Sequence, residues 1–201
     1  MLDAILHREA DYEVKELAHM TPWKSKDTIE DNPIGLSRDV VEKLVPDLDT
    51  HLASLFVLFH QYQKHHWLVE GPQFRDLHLF LAEAYEEVHK QADMVAERIT
   101  ALGGIPTSNP VEQAAIAFIT HEPEGVFRVR NMLELDRTHE ATIAKNLRES
   151  IFLARDLGDP GTEHLLREIL LDIEDRAHHL EHFLGSDSLE LRGQNRAGSA
   201  A

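Results

Sequence analysis

Residues 73–102 form a run of thirty positions without glycine or proline, bracketed by Gly71-Pro72 in front and by Gly103-Gly104 and Pro106 behind. Proline suits the first turn of a helix and glycine its C-terminal stop, so this punctuation predicts one unbroken helix. At the usual rise it is roughly 45 Å long.

Three other stretches carry helical signals. Leu48, Leu52, Leu55, Phe56, Phe59 and Tyr62 recur at intervals of three and four, which predicts an amphipathic helix running to about residue 69. Ser37 is its expected N-cap with Asp39 in the first turn, and Pro46 is expected to kink or restart it. A third long helix is expected over residues 125–157, stopped by Gly158 and Pro160, and a fourth over residues 162–184, stopped by Gly185. Between the second and third lies a short apolar segment, residues 111–119, that fits a short helix in a crossover connection. Four long helices with one extended connection predict an all-α, ferritin-like four-helix bundle over residues 37–184. Residues 1–36 mix charges with Pro22, Pro33 and Gly35 and are expected to form a flexible N-terminal extension. Residues 185–201 are polar and small, and are expected to form a flexible C-terminal tail.

Charge and composition narrow the chemistry. Thirty-six acids against twenty bases give a formal charge of −16, which repels polyanions and attracts cations. DNA is therefore disfavoured as a partner. The chain has no cysteine and fourteen histidines, so disulfides and thiolate sites are excluded and any metal must be held by nitrogen and oxygen. Such a donor set suits iron, manganese or zinc. With acids near its start and no apolar run of signal-peptide or membrane-spanning length, the protein is expected in the cytoplasm.

Candidate ligands crowd around the predicted long helix: His65, His66, His78, His89, Asp93 and Glu97. His89, Asp93 and Glu97 are four apart and share a helix face. Each alone also fits an ordinary solvated face. A cage inside a four-helix bundle needs carboxylates from all four helices. Residues 50–69 contain none, so an internal cage lacks a ligand.

Several motifs occur together over some forty residues: His66-Trp67, Gly71-Pro72-Gln73-Phe74, Leu77-His78, Asp93 with Ala96-Glu97-Arg98-Ile99, and Leu102-Gly103-Gly104 with Pro106. This pattern, with its spacing, resembles the signature of the Dps family of mini-ferritins. The resemblance implies a hollow dodecamer that oxidises Fe²⁺ with hydrogen peroxide or oxygen and stores ferric mineral inside, protecting against oxidative damage. It places the ferroxidase centre at a two-fold interface, with His66 and His78 from one subunit facing Asp93 and Glu97 of the next. Trp67 corresponds to an aromatic residue that quenches oxidising equivalents.

One position departs from that pattern. The family usually carries Asp or Glu four residues after the second histidine, and this chain has Ala82. Loss of that carboxylate shifts the donor balance toward nitrogen and admits zinc as a competing metal. His89, one turn before Asp93, is the candidate replacement ligand, and His65 is a second candidate. By the same resemblance, Asp159, Glu163 and His164 are expected to line a three-fold pore. His178, His179, Glu181 and His182 form a further cluster that matches no family motif. The competing expectations are a DNA-compacting structural protein and a zinc or iron buffer without turnover.

Overall fold

The computed structural model describes residues 20–185. Residues 1–19 and 186–201, which hold most of the two expected flexible tails, lie outside the described residues. Among the described residues five helices follow in order: α1 (Arg38–Leu68), α2 (Phe74–Ala101), α3 (Pro110–Ile116), α4 (Val129–Asp156) and α5 (Pro160–Phe183). No strand occurs among the described residues. The four long helices form a ferritin-like bundle: α1 packs along α2 and α4 along α5, and the two pairs close through α1 with α4 and α2 with α5. The connection between the pairs carries α3 across α1.

The apolar spacing read from the sequence becomes the core. Leu44, Leu48, Leu52, Leu55 and Leu58 of α1 meet Leu77, Leu81, Val88, Val95 and Ile99 of α2, with Leu133, Ile143 and Leu147 of α4 and Leu166, Ile169 and Ile173 of α5; all are buried. Burial of a single such side chain is worth about 1.5–3 kcal/mol.

Three boundaries differ from expectation. Pro46 lies inside an unbroken α1. It sits on the exposed face, where the carbonyl left without a partner can be hydrated. Helix α4 begins at Val129 rather than near Gly125 because the preceding segment is tied to α1: Glu122 N–H donates to Gln61 Oε1 at 2.9 Å, and Lys64 Nζ lies 2.6 Å from Glu122 Oε1. Residues 20–36, assigned to the flexible extension, lie against the end of the bundle. There Lys26 pairs with Asp49 at 2.8 Å, and Glu30 N–H donates to the carbonyl of Gly103 at 2.9 Å.

Gly103 thus has two roles. Its φ of 87° ends α2 in the left-handed conformation, and a Cβ there would meet the Glu30 carbonyl oxygen at 2.3 Å.

Candidate metal centre

His66 and His78 flank the α1–α2 turn at equal distances from Pro72. The hairpin therefore brings them face to face. Their rings stack with centroids 3.7 Å apart and 19° between planes. His66 Nδ1–H donates to the His78 carbonyl at 2.8 Å, and His78 Nδ1–H donates to the His66 carbonyl at 2.9 Å. A carbonyl can only accept, so both rings carry their proton on Nδ1 and keep the Nε2 lone pair for another partner. The His66 carbonyl lies in the last turn of α1, where helical partners run out. The His78 ring thus caps the helix that presents its neighbour.

Aromatic side chains steady the pair. Phe74 stacks on His78 at 4.9 Å, and Tyr85 meets the edge of His66 at 5.4 Å. Trp67, next in the chain, is 67% exposed, and Phe74 and Leu79 are also exposed. Apolar rings left open around a set of unfilled ligands are the mark of a surface that meets a partner.

Asp93 and Glu97 lie far along the same helix, exposed on one stripe with His89. His89 rests against Phe59 at 5.2 Å and Phe56 at 6.3 Å. Since α2 is continuous, the fifteen positions from His78 to Asp93 hold them about 22 Å apart. Among the described residues of one chain, no three His, Asp or Glu side chains converge to hold a metal. The histidine pair and the carboxylate pair are thus two separate groups of potential donors, and Ala82 adds none to either.

His65 is placed elsewhere, inside the bundle. Its Nδ1 lies 2.7 Å from Asp136 Oδ2, and its Nε2 lies 2.8 Å from Gln61 Nε2 and 3.2 Å from Glu122 Oε1. Burial works against its imidazolium, but hydrogen bonds and the charges of Asp136 and Glu122 win and raise its pKa. Burial also pushes Asp136 up to about 6 against the pull of His65. With both ring nitrogens engaged, His65 has no lone pair to offer a metal beside His66.

The three residues expected at a pore separate in the same way. Asp159 is 2% exposed. It caps α5 by accepting from Gly161 and Thr162 N–H at 3.1 Å, and it receives Arg98 on both oxygens at 2.7 and 2.8 Å. Burial opposes its charge, but the Thr162 and Arg98 hydrogen bonds hold its pKa below the usual carboxylate value. Its carboxylate is thus engaged within its own chain. Glu163 and His164 do reach the surface, each with an ion-pair partner one turn on: Arg167 at 2.7 Å and Glu168 at 3.3 Å.

The family model for the ferritin-like domain matches residues 47–189. The DNA protection during starvation protein of Halobacterium salinarum is 46% identical over 160 residues, covering 80% of this chain and 88% of that protein. The chain belongs to the Dps family. The solved structure of the Halobacterium salinarum Dps homologue superposes with a TM-score of 0.82 at 41% identity, over 88% of this chain and 98% of that one. The Vibrio cholerae Dps protein, described as a member of a broad superfamily of ferritin-like diiron-carboxylate proteins, gives 0.73 at 25% identity, over 78% and 98%.

In this Dps chain the bundle interior carries a second polar cluster that the sequence reading missed. Arg176 Nε donates to Glu140 Oε1 at 2.6 Å, and Arg176 also bonds Glu87 and, at 3.2 Å, Gln91 Oε1. The Tyr62 hydroxyl donates to the same Glu140 oxygen at 2.6 Å. Glu140 and Tyr62 are fully buried and Arg176 is 4% exposed. A guanidinium therefore fills the space where an intrabundle cation would need to sit. The carboxylate–histidine pairs with the i, i+3 spacing of such cages, Glu86 with His89 and Asp175 with His178, all lie on exposed faces. The signal available was the apolar register of α4, which places Glu140 in line with Met132, Leu133, Asp136, Ile143 and Leu147 on the buried face.

Proposed function

We propose that this Dps protein oxidises Fe²⁺ at sites shared between two copies of the chain and stores the ferric product within a closed homo-oligomeric shell, a dodecamer, in the cytoplasm. The observation that carries the proposal is the separation of the ligand half-sets along one rigid helix. His66 and His78 offer two outward lone pairs, and Asp93 and Glu97 offer carboxylates some 22 Å away. A two-fold contact that sets the turn of one chain against the distal half of α2 in another completes two identical sites at once, because an isologous interface repeats every contact.

The two imidazoles and two carboxylates form a hard-to-borderline donor set suited to ferrous iron. Each Fe²⁺ gives up one electron. Hydrogen peroxide takes two electrons and two protons and leaves as two molecules of water; oxygen is the alternative acceptor. Trp67, exposed beside His66, stands where a stray oxidising equivalent would first meet protein. His89 shares the carboxylate stripe and is the residue placed to supply the donor that Ala82 lacks. Glu163 and His164 are the remaining candidates for a cation channel, and the charge of −16 draws Fe²⁺ toward the surface.

Stopped-flow oxidation of Fe²⁺ tests this reading. In the doubly substituted His78→Ala, Glu97→Ala protein the rate falls to that of iron without protein. A rate equal to wild type overturns the assignment. Zinc added before iron is expected to slow the reaction by occupying the nitrogen-rich site.

The Halobacterium relative bears a name for DNA protection, but the charge of this chain opposes phosphate contacts, which need several cations. We expect no retardation of plasmid by the assembled protein at low salt.

A further inference from the structure

The last two turns of α5 carry His178 and His182 on one exposed face. Their Nε2 atoms point at each other 3.1 Å apart, with ring centroids 4.4 Å apart and 80° between planes. One ring donates its N–H to the lone pair of the other, so a single proton occupies the space between two imidazole nitrogens.

We propose that this pair is a chelating site for a late first-row divalent cation, Zn²⁺ or Cu²⁺, distinct from the proposed iron half-sites at the α1–α2 turn and along α2. The two donor atoms are already at chelating distance. With metal–nitrogen bonds of 2.0–2.1 Å, a spacing of 3.1 Å corresponds to an angle of about 100° at the metal. Histidines four apart on a helix are a recurrent zinc-binding arrangement because the spacing stacks them one turn above the other.

The surroundings decide which metal. His179 points to Asp175 at 3.8 Å, and Glu181 is bound by Arg137. Glu174, one turn before His178 on the same stripe, is bound by Arg148. The carboxylates beside the pair thus have partners, and water completes the coordination shell. Two neutral nitrogens without a carboxylate favour copper and zinc over Fe²⁺ by the usual order of divalent affinities. As metal enters, the ring that holds its proton on Nε2 passes to the Nδ1–H tautomer and frees that nitrogen, so no net proton need be released.

Equilibrium dialysis of Zn²⁺ against the assembled full-length protein tests the site. All variants carry His78→Ala and Glu97→Ala, which takes the proposed iron site out of the count, so failure there and failure here are read separately. The parent takes up one more Zn²⁺ per chain than versions with His178→Ala or His182→Ala added. A version with His179→Ala binds as the parent does. Both key residues are exposed, so circular dichroism and solution mass stay unchanged. Equal zinc uptake by all four proteins overturns the proposal.

Discussion

In the bundle interior, Arg176 is enclosed by Glu140, Glu87 and Gln91, and Tyr62 donates to Glu140 beside it. At the α1–α2 turn, His66 and His78 each commit one nitrogen to a carbonyl and leave the other open. Both regions concentrate ionisable side chains on long helices. The interior cluster is closed within one chain, and its cation is part of the protein. In the proposed site the turn is half of a ligand set, and the other half, about 22 Å down the helix, is met on a second copy of the chain. Density of charged residues therefore does not by itself mark open ligands: the interior donors are spent on one another, while the donor atoms at the turn are unfilled.

If the interior is closed, breaking it should cost stability. Arg176→Ala leaves Glu140 buried without its cation and should destabilise the protein by about 3–5 kcal/mol, read by denaturant unfolding. A loss well under 1 kcal/mol would show that the cluster is hydrated and open after all.

A second test uses pH. Burial lowers the pKa of His51 to about 4 from 6.5, with Ser150 as its partner at 2.8 Å. The folded state therefore binds fewer protons here than the unfolded one. The stability contributed is present above pH 6.5 and is lost as pH falls toward 4, by about 3 kcal/mol at the lower limit. His65 and Asp136 act in the opposite sense. Both are raised, so the stability they contribute is full at low pH and declines as pH rises through their folded values. Comparing His51→Leu with wild type isolates the first effect, and the variant should lose less stability between pH 6.5 and 4.

Asp159→Ala probes the expected pore residue that turned out to be a cap. Removing it should destabilise α5 by about 0.5–2 kcal/mol, with thermal unfolding as the readout and iron uptake unchanged. At the turn the pattern reverses. His78→Ala removes a neutral hydrogen bond worth about 1 kcal/mol, yet it should reduce Fe²⁺ oxidation to the rate without protein.

Much of this was legible in the sequence. The glycine and proline stops around residues 73–102 define α2 closely, and the family resemblance singles out His66 and His78 together. The motif gives no hint that each ring is locked by the other's carbonyl, because that depends on how the hairpin closes in space. His65 shows the limit of reading neighbours together. It adjoins His66 in the chain, but a helix turns 100° per residue, and the next side chain points into the bundle toward Asp136. Asp159 shows another limit: a carboxylate beside a proline at a helix start reads equally as a cap or a channel lining until Arg98, sixty-one positions away, is seen to saturate it. Residues 20–36 look like an arm in composition, and only the contact of Glu30 with Gly103 shows where they rest.

Co-assembly tests most directly the claim that the metal site is built from two chains. One variant carries His66→Ala with His78→Ala, and the other carries Asp93→Ala with Glu97→Ala; each alone should be inactive. Refolded together in equal amounts, they should recover about a quarter of the wild-type oxidation rate, since each mixed two-fold contact joins the intact histidines of one chain to the intact carboxylates of the other. No recovery from fully assembled mixed shells would contradict the shared site.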